Sequence, residues 1–210
     1  MSIVREITKA IRLTLVLWVL TAVVYPAVML LVGQMLLPYQ ANGSLVQNLQ
    51  GKVVGSALIG QPFTSDKYFW SRPSSVDYST ADQKNDKNGV LKTGVSGASN
   101  LAPSNPDLLK QVQGRLDKLK QAGIQSNKLQ LAIPADLVYS SGSGLDPHIT
   151  VEAALAQQDR VARVRGLTTD QVNDLIAKHT QRRFLGIFGE PGVNVLNLNR
   201  DLDVFQTARE

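Results

Sequence analysis

An uncharged stretch of 25 residues, Leu13 to Leu37, constrains this chain more than any other feature of its sequence. As a helix with a rise of 1.5 Å per residue it extends about 37 Å, enough to cross a hydrocarbon core about 30 Å thick. A buried helix of a soluble protein rarely stays apolar on every face over this length. The stretch is also longer than the apolar part of a cleaved signal peptide, and no small-x-small cleavage site follows it. The sequence therefore predicts one uncleaved transmembrane helix over residues 13–37.

The basic residues around this span predict its direction. Arg5, Lys9 and Arg12 lie just before it, whereas the next basic residue is Lys52. Basic residues beside a span remain on the cytoplasmic side of the membrane. We therefore expect residues 1–12 in the cytoplasm and the rest of the chain after the span outside it.

The chain after the span divides into a polar connector, residues 38–50, and a folded domain, residues 51–210. With 43% hydrophobic and 19% charged residues overall, the sequence has the composition of a folded protein. In a bacterium this domain would lie in the periplasm. Pro26, inside the span, removes a backbone donor and should kink the helix. Such breaks are tolerated best where a neighbouring helix packs, so we expect a partner contact at Pro26.

Composition excludes several kinds of site. There is no cysteine, which excludes disulfides, thiolate nucleophiles and thiolate metal ligands. The two histidines, His148 and His179, do not have the spacing of a zinc motif, so no metal site is expected. The net charge of +5 is not gathered into a basic stripe, and we expect no nucleic acid partner.

Helix signals are clear in the outer domain. Asn105 followed by Pro106 predicts a helix that ends near Gly123. A second helix should run from Thr150 to Gly166, with Leu155 and Val164 among its apolar positions. A third begins with the capping box formed by Thr168 and Gln171, and should bury Val172, Leu175 and Ile176.

Strand signals are weaker. The β-branched or alternating runs Lys52 to Ile59, Lys128 to Ile133 and Val193 to Leu198 predict strands. A long loop rich in Ser, Asp, Asn, Gly and Pro covers residues 71–107. Since helices and strands are mixed, the predicted fold is a single N-terminal transmembrane helix followed by an α/β or α+β domain outside the cytoplasm, with no strand order assigned.

Three features could carry chemistry or binding. The run from Ser141 to His148 contains Ser143, Asp146 and His148, but a catalytic triad needs its members on separate elements, and no G-x-S-x-G motif is present. A glycine-rich turn is the alternative. Residues 94–100 and 141–144 are rich in glycine, but neither run has the sequence of a phosphate-binding P-loop. Arg72, after Tyr68-Phe69-Trp70, is typical of protein interfaces, although the aromatic residues could equally belong to the core.

Five stretches resemble one known family, the C subunit of the Kdp-type potassium-transporting ATPase. They are Gly60 to Thr64 (GQPFT), Tyr68 to Ser74, Gly94 to Pro106 (GVSGASNLAPSNP), Ile133 to Leu167 with SGSGLDPHIT, and Phe184 to Asp203 with FGEPGVNVLNLNRDLD. Each stretch alone is weak, but five in this order are highly specific. With the N-terminal span they cover nearly the whole chain.

The resemblance implies a subunit of an inner-membrane complex that takes up potassium at the expense of ATP. Its partners would be a P-type ATP-hydrolysing subunit, a channel-like potassium-binding subunit and a small single-span subunit, with membrane lipid around the helix. The C subunit of the family is described as stabilising the assembly and as a catalytic chaperone that raises the ATP affinity of the pump subunit. It has no hydrolytic site and no cofactor of its own, and ATP and K+ are handled by the complex.

We expect the partner interface to use exposed, irregular segments, since loops carry much of the binding in proteins. The residues expected at partner contacts are Pro26 within the span and, in the irregular segments, Arg72, Ser96, Asn100, Ser143, Asp146 and His148. Two other functions stay open at this stage. One is a membrane-anchored hydrolase that uses Ser143 and His148, and the other is a single-pass solute-binding module.

Overall fold

The structure, a computed structural model, describes residues 3–80, 94–124 and 133–208. The chain forms two compact units, Met1–Leu45 and Val46–Glu210. In the first unit, helix α1 (Ile3–Val19), a π turn (Leu20–Val24) and helix α2 (Tyr25–Leu36) follow one another without a break. Together they make a helix of 34 residues with no buried residue, whose most apolar stretch of 18 residues has a mean hydropathy of 2.5, long and apolar enough to cross a membrane.

The helix is interrupted at Pro26 by this π turn. Tyr25 donates its backbone N–H to the carbonyl of Leu20, five residues earlier rather than four. Proline has no N–H to donate, and its ring would collide with the carbonyl four residues before it in a regular α-helix. A widened turn accommodates both effects. The interruption expected at Pro26 thus takes the form of one π turn.

The first unit ends in a short helix, α3 (Pro38–Ala41). The side-chain amides of Gln34 and Asn42 bind each other, with Nδ2 of Asn42 3.1 Å from Oε1 of Gln34 and Nε2 of Gln34 3.4 Å from Oδ1 of Asn42. Residues 38–50, expected to be a connector, also contain strand β1 (Leu45–Gln47). Gln34, polar at the end of an apolar helix, therefore has a partner within its own unit.

The second unit combines helices with two small sheets, which confirms the α+β class. Strand β1 pairs with β2 (Val53–Ser56), and the other sheet has the order β3-β5-β4. Its strands are antiparallel, with His148 opposite Asn194 and Thr180 opposite Val193. The remaining elements are α4 (Pro106–Gln121), β3 (His148–Ile149), α5 (Val151–Arg165), α6 (Thr169–His179), β4 (Thr180–Gln181), β5 (Gly192–Asn194) and α7 (Val195–Thr207).

The predicted helix ends are confirmed. Asn105 accepts the backbone N–H of Asp107 at 2.8 Å and starts α4. Thr150 caps α5, and Gly166 ends it in the left-handed conformation with φ of +64°. The capping box between Thr168 and Gln171 is complete. Helix caps depend on residues close in sequence, which is why these boundaries were predictable.

The strand predicted over residues 193–198 is wrong beyond Asn194. The side chain of Asn194 accepts the backbone N–H of Asn197 at 3.1 Å and begins α7. Val195, Leu198 and Leu202 then bury one face at helical spacing. The strand predicted over residues 52–59 is shorter than expected, since β2 covers four residues. Of the strand predicted from Lys128 to Ile133, residues 128–132 lie outside the described part of the chain.

Two of the aromatic residues before Arg72 belong to the core. Phe69 and Trp70 are buried and pack with Ile149, Val161 and Leu198. For Phe69 and Trp70, core packing rather than an interface is therefore the correct alternative.

The buried face of α5 differs from the prediction. Leu155 and Val164, expected in the core, are 40% and 51% exposed, and Leu109 on α4 is 62% exposed. Arg160 and Arg165 are buried in their place. Their guanidinium groups donate to the main chain before Phe69, from Arg160 to Asp66 O and from Arg165 to Lys67 O, each at 2.6 Å.

Candidate functional site at a junction of three loops

Three irregular segments, residues 71–79, 94–100 and 141–148, meet in the second unit and form what we term the loop junction. Ser141 donates its backbone N–H to Pro73 O at 2.9 Å, and Gly97 N donates to Ser143 O at 2.8 Å. The hydroxyl of Ser74 donates to Gly144 O at 2.7 Å. These bonds link segments that lie far apart in the sequence, so the loops support one another.

Gly144 allows the loops to come this close. Its φ of +69° lies in the left-handed region, and a Cβ at this position would sit 2.5 Å from Val76 Cγ2 and 2.6 Å from Gly97 O. Real Cβ atoms essentially never make non-bonded contacts this short. The junction therefore requires glycine at this point, for its conformation and for its lack of a side chain.

The first of the three segments contains a turn whose backbone is in the left-handed conformation. Asp77, Tyr78 and Ser79 have φ values of 48°, 54° and 59°. Positive φ is unfavourable for non-glycine residues, and such strain persists only where the surroundings impose it. Tyr78 is buried beside Gly60, and its hydroxyl donates to the backbone oxygen of Arg72. The packing and the hydroxyl bond of Tyr78 therefore help to hold the turn.

Burial, with a smaller effect of the Asp77 charge, raises the pKa of Tyr78 to about 12. The hydroxyl is therefore protonated throughout the physiological pH range. It acts as a hydrogen-bond donor to Arg72 O.

Asp146 connects the charged residues of the junction. Its Oδ2 lies 3.4 Å from Arg72 Nη1, and its Oδ1 accepts the backbone N–H of His148 at 3.0 Å. The Nδ1 atom of His148 is 3.8 Å from the same carboxylate oxygen. The three side chains are about a third exposed. The buried Nε of Arg72 and Nε2 of His148 have no hydrogen-bond partner among the described residues. The Asp146 carboxylate is thus held at the surface between the guanidinium of Arg72 and the imidazole of His148.

Ser143 serves the structure of its turn. Its Oγ lies 3.2 Å from Ser141 Oγ and accepts the backbone N–H of Leu145 at 3.1 Å. No hydrogen bond joins Ser143 to His148 within the described chain. The nucleophile and base that a hydrolase would need are therefore not paired here.

The three segments of the junction contain six of the seven residues expected at an interface, and five of them are linked by hydrogen bonds or charge contacts. Arg72, Asp146 and His148 form the charged group, and Ser96 donates its hydroxyl to Ser143 O at 3.0 Å. Asn100 is exposed with φ of 52°, and in the described structure no hydrogen bond ties its side chain to the junction. Pro26 belongs to the first unit.

Sequence reasoning missed Ser74 and Tyr78. Besides its bond to Gly144, the Ser74 hydroxyl accepts the backbone N–H groups of Val76 and Tyr78 at 3.1 and 3.0 Å. A serine directly after proline is a turn signal that could have identified it. Nothing in the sequence marks Tyr78.

A cavity of about 280 Å³ adjoins the junction. Its polar lining includes Ser74, Arg115 and Lys118. The guanidinium group of Arg115 already makes hydrogen bonds within the protein, since it donates to Val138 O at 2.7 Å and Ser140 Oγ at 3.0 Å. The ammonium of Lys118 lies 4.7 Å from the centre of the Trp70 ring. In the described residues there is no group of three His, Asp or Glu that could hold a metal ion.

Comparison with known proteins gives a consistent result. The model of the KdpC family, described as the K+-transporting ATPase c chain, matches residues 7–204. The potassium-transporting ATPase KdpC subunit of Microcystis aeruginosa is 61% identical over 214 aligned positions that cover 100% of both chains. The KdpC subunit of Synechocystis is 54% identical, covering 95% of this chain and 98% of its own length.

A relative of lower identity gives the same result. The KdpC subunit of Geobacter sulfurreducens is 46% identical, covering 95% of this chain and 97% of its own. The match includes both the apolar helix and the three segments of the loop junction, since it extends over nearly the whole sequence. The chain therefore belongs to the KdpC family, the c chain of potassium-transporting ATPases.

Proposed function

We propose that this chain is a non-catalytic accessory subunit that stabilises an ATP-driven potassium uptake complex of the bacterial inner membrane. The observation that carries the proposal is the family match from residue 7 to residue 204, which includes the membrane helix and the domain together. The partners would be the P-type ATP-hydrolysing subunit and the channel-like potassium-binding subunit. ATP and K+ would be handled by those subunits.

The arrangement in the membrane follows from the charges beside the helix. Arg5, Lys9 and Arg12 precede the apolar stretch, and basic residues beside a span favour the cytoplasmic side. The second unit is then extracytoplasmic. The loop junction would dock on the outer face of the complex, because its hydrogen bonds hold Arg72 and Asp146 in place before a partner arrives. A preorganised surface loses less conformational entropy on binding than a mobile loop does.

An effect on ATP affinity would be indirect. ATP is cytoplasmic, whereas the domain would lie on the opposite side of the membrane. Coupling across the membrane requires two states of the complex that this subunit contacts differently. We propose that the subunit favours the state of the pump that binds ATP more tightly.

Co-purification tests the assembly role. Tagged protein is recovered in mild detergent from host membranes grown at limiting potassium, and the two partner subunits and potassium-stimulated ATPase activity are measured. Arg72→Ala should lower recovery of the partners several-fold. Arg163→Ala is the matched control, since Arg163 is exposed on α5 with no ion pair among the described residues. Equal recovery with both variants would exclude Arg72 from the interface, and absence of both partners from the unmodified protein would contradict the function.

The ATP effect has a separate test. The KM for ATP is measured for the complex with and without this subunit, and it should rise when the subunit is removed. A photoreactive ATP analogue should label the pump subunit alone. Labelling of this chain would show direct nucleotide binding and overturn the indirect mechanism.

A further inference from the structure

The loop between β4 and β5 carries an exposed apolar turn, residues 184–188, which we term the hairpin tip. Phe184, Leu185, Ile187 and Phe188 are 71%, 74%, 73% and 62% exposed. Only Gly186 separates the two pairs. No other five-residue segment of the described second unit exposes four large apolar side chains. A patch of this kind on a folded domain marks an interaction site.

The backbone of the hairpin tip satisfies many of its own polar groups. Phe184 N donates to Phe188 O at 2.8 Å, and Phe188 N donates to Phe184 O at 2.9 Å. Gly186 N donates to Arg183 O at 3.0 Å. An apolar medium offers no hydrogen bonds, so a segment that enters it must pair its backbone groups internally. The hairpin tip meets this requirement at these three amides.

Charged residues stand at the base of the tip. Arg182 and Arg183 precede it, and Arg183 pairs with Glu190 at 2.7 Å. Arg182 is exposed and has no ion pair among the described residues. Aromatic and aliphatic side chains beyond a base of arginine match the layers of a bilayer surface, with an apolar interior beneath anionic headgroups.

The covalent chain limits how far the second unit can lie from a membrane. Eight residues, 37–44, join the end of α2 to β1. Fully extended, they reach at most about 30 Å. A domain joined to a membrane helix by so short a segment stays within reach of the bilayer, an apolar medium that the helix itself requires.

We infer that the hairpin tip inserts into the lipid surface from which the membrane helix emerges and gives the domain a second contact with the bilayer. The insertion would be shallow, about 5–10 Å into the boundary between headgroups and acyl chains. Phe184, Leu185, Ile187 and Phe188 would enter the apolar layer, and Arg182 would bind lipid phosphate. The inference rests on membrane anchoring by the helix and does not depend on the partner subunits.

The absence of cysteine from the 210 residues allows a site-specific test. Ile187→Cys in the full-length protein is labelled with an environment-sensitive fluorophore and reconstituted into vesicles of phosphatidylethanolamine and phosphatidylglycerol. Leu109→Cys is the control, since Leu109 is also apolar and 62% exposed. The probe at position 187 should show blue-shifted emission and several-fold stronger quenching by spin-labelled lipid than the probe at position 109. Aqueous iodide should quench it correspondingly less.

A second variant separates insertion from a change in folding. Leu185→Asp places a charge on the tip at a residue 74% exposed, so the domain should keep its fold while lipid quenching at position 187 falls to the control level. Equal quenching at positions 187 and 109 would overturn the inference. So would a probe at position 187 that is open to iodide in vesicles but shielded in the purified complex, which would identify a protein partner. Recovery of the complex, measured separately, reports on the proposed function.

Discussion

The side chain of Asn199 binds both backbone polar groups of Phe69. Its Oδ1 accepts the N–H of Phe69 at 2.8 Å, and its Nδ2 donates to the carbonyl at 3.0 Å. Gln157 does the same for Trp70, at 2.7 and 3.2 Å. Residues 69 and 70 lie in neither a helix nor a strand, so amides from α7 and α5 replace a strand partner. They hold the segment that leads into the loop junction at Arg72.

Replacing Asn199 should therefore destabilise the fold strongly. Asn199→Ala leaves the buried N–H and C=O of Phe69 without a partner, and each unsatisfied group costs about 1–3 kcal/mol. We expect a loss of about 3 kcal/mol in the free energy of unfolding, measured by denaturant titration of the full chain in detergent. Asn173→Ala, at an exposed position of α6, is the control. A loss no greater than that of the control would show that the Phe69 bonds contribute little.

Asp201 should make stability depend on pH. Burial alone would raise its pKa, but hydrogen bonds from Lys178, His179 and Arg200 lower it to about 2 from the ordinary value of 3.8. The ionised form therefore stabilises the fold above pH 3.8, and this contribution is lost as the pH falls through about 2. A shift of this size corresponds to about 2 kcal/mol.

Asp201→Asn tests this linkage. The variant should melt at a lower temperature than the unmodified protein at neutral pH, and the difference should narrow as the pH is lowered from 4 to about 2. Asp174→Asn, exposed on α6, should show no such difference at either pH. A Tm difference for Asp201→Asn that stays constant across this range would contradict the assignment.

Gly144→Ala should open the loop junction. The added Cβ meets Val76 and Gly97, and the φ of +69° is unfavourable for alanine. A loss of more than about 1 kcal/mol in stability is expected, together with weaker recovery of the partner subunits. Gly142→Ala is a close control, since a Cβ there meets nothing within 4 Å. Similar behaviour of the two variants would mean that the close approach of the loops is not required.

Ser143→Ala should support growth at limiting potassium as well as the unmodified protein does. Among the described residues the hydroxyl bonds to Ser141 and to the Leu145 amide, and loss of such bonds at a partly exposed turn costs about 1 kcal/mol or less. The alanine variant needs only to assemble, and growth rate in defined medium is the measurement. Loss of growth with normal assembly would revive the hydrolase alternative.

Local signals allowed much of the helical structure to be predicted. The caps at Asn105, Thr150 and Thr168 involve residues two or three positions apart, so sequence alone contains them. The strands of the larger sheet are two or three residues long and join positions as distant as His148 and Asn194. Their pairing depends on the whole fold and leaves little trace in any short stretch.

The candidate site was only partly predictable for a related reason. The loops meet through backbone atoms, such as Gly97 N and Ser143 O, and backbone contacts do not specify a residue type. The run 94–100 and the turn 141–148 could be singled out by their glycines and serines. That they meet each other, and meet Ser74, could not be predicted. The buried face of α5 was also hard to predict, because the buried Arg160 and Arg165 interrupt its apolar stripe.

The π turn before Pro26 changes how the membrane helix must be compared with its neighbours. A regular α-helix turns about 100° per residue, and the π turn adds one residue without adding a turn. Side chains of α2 (Tyr25–Leu36) are therefore rotated by about 100° from where uninterrupted counting from α1 (Ile3–Val19) would place them. A neighbouring helix that follows one face of α1 meets a different set of positions on α2. Contact positions for each half should accordingly be counted in two separate registers, with the offset at residues 20–24.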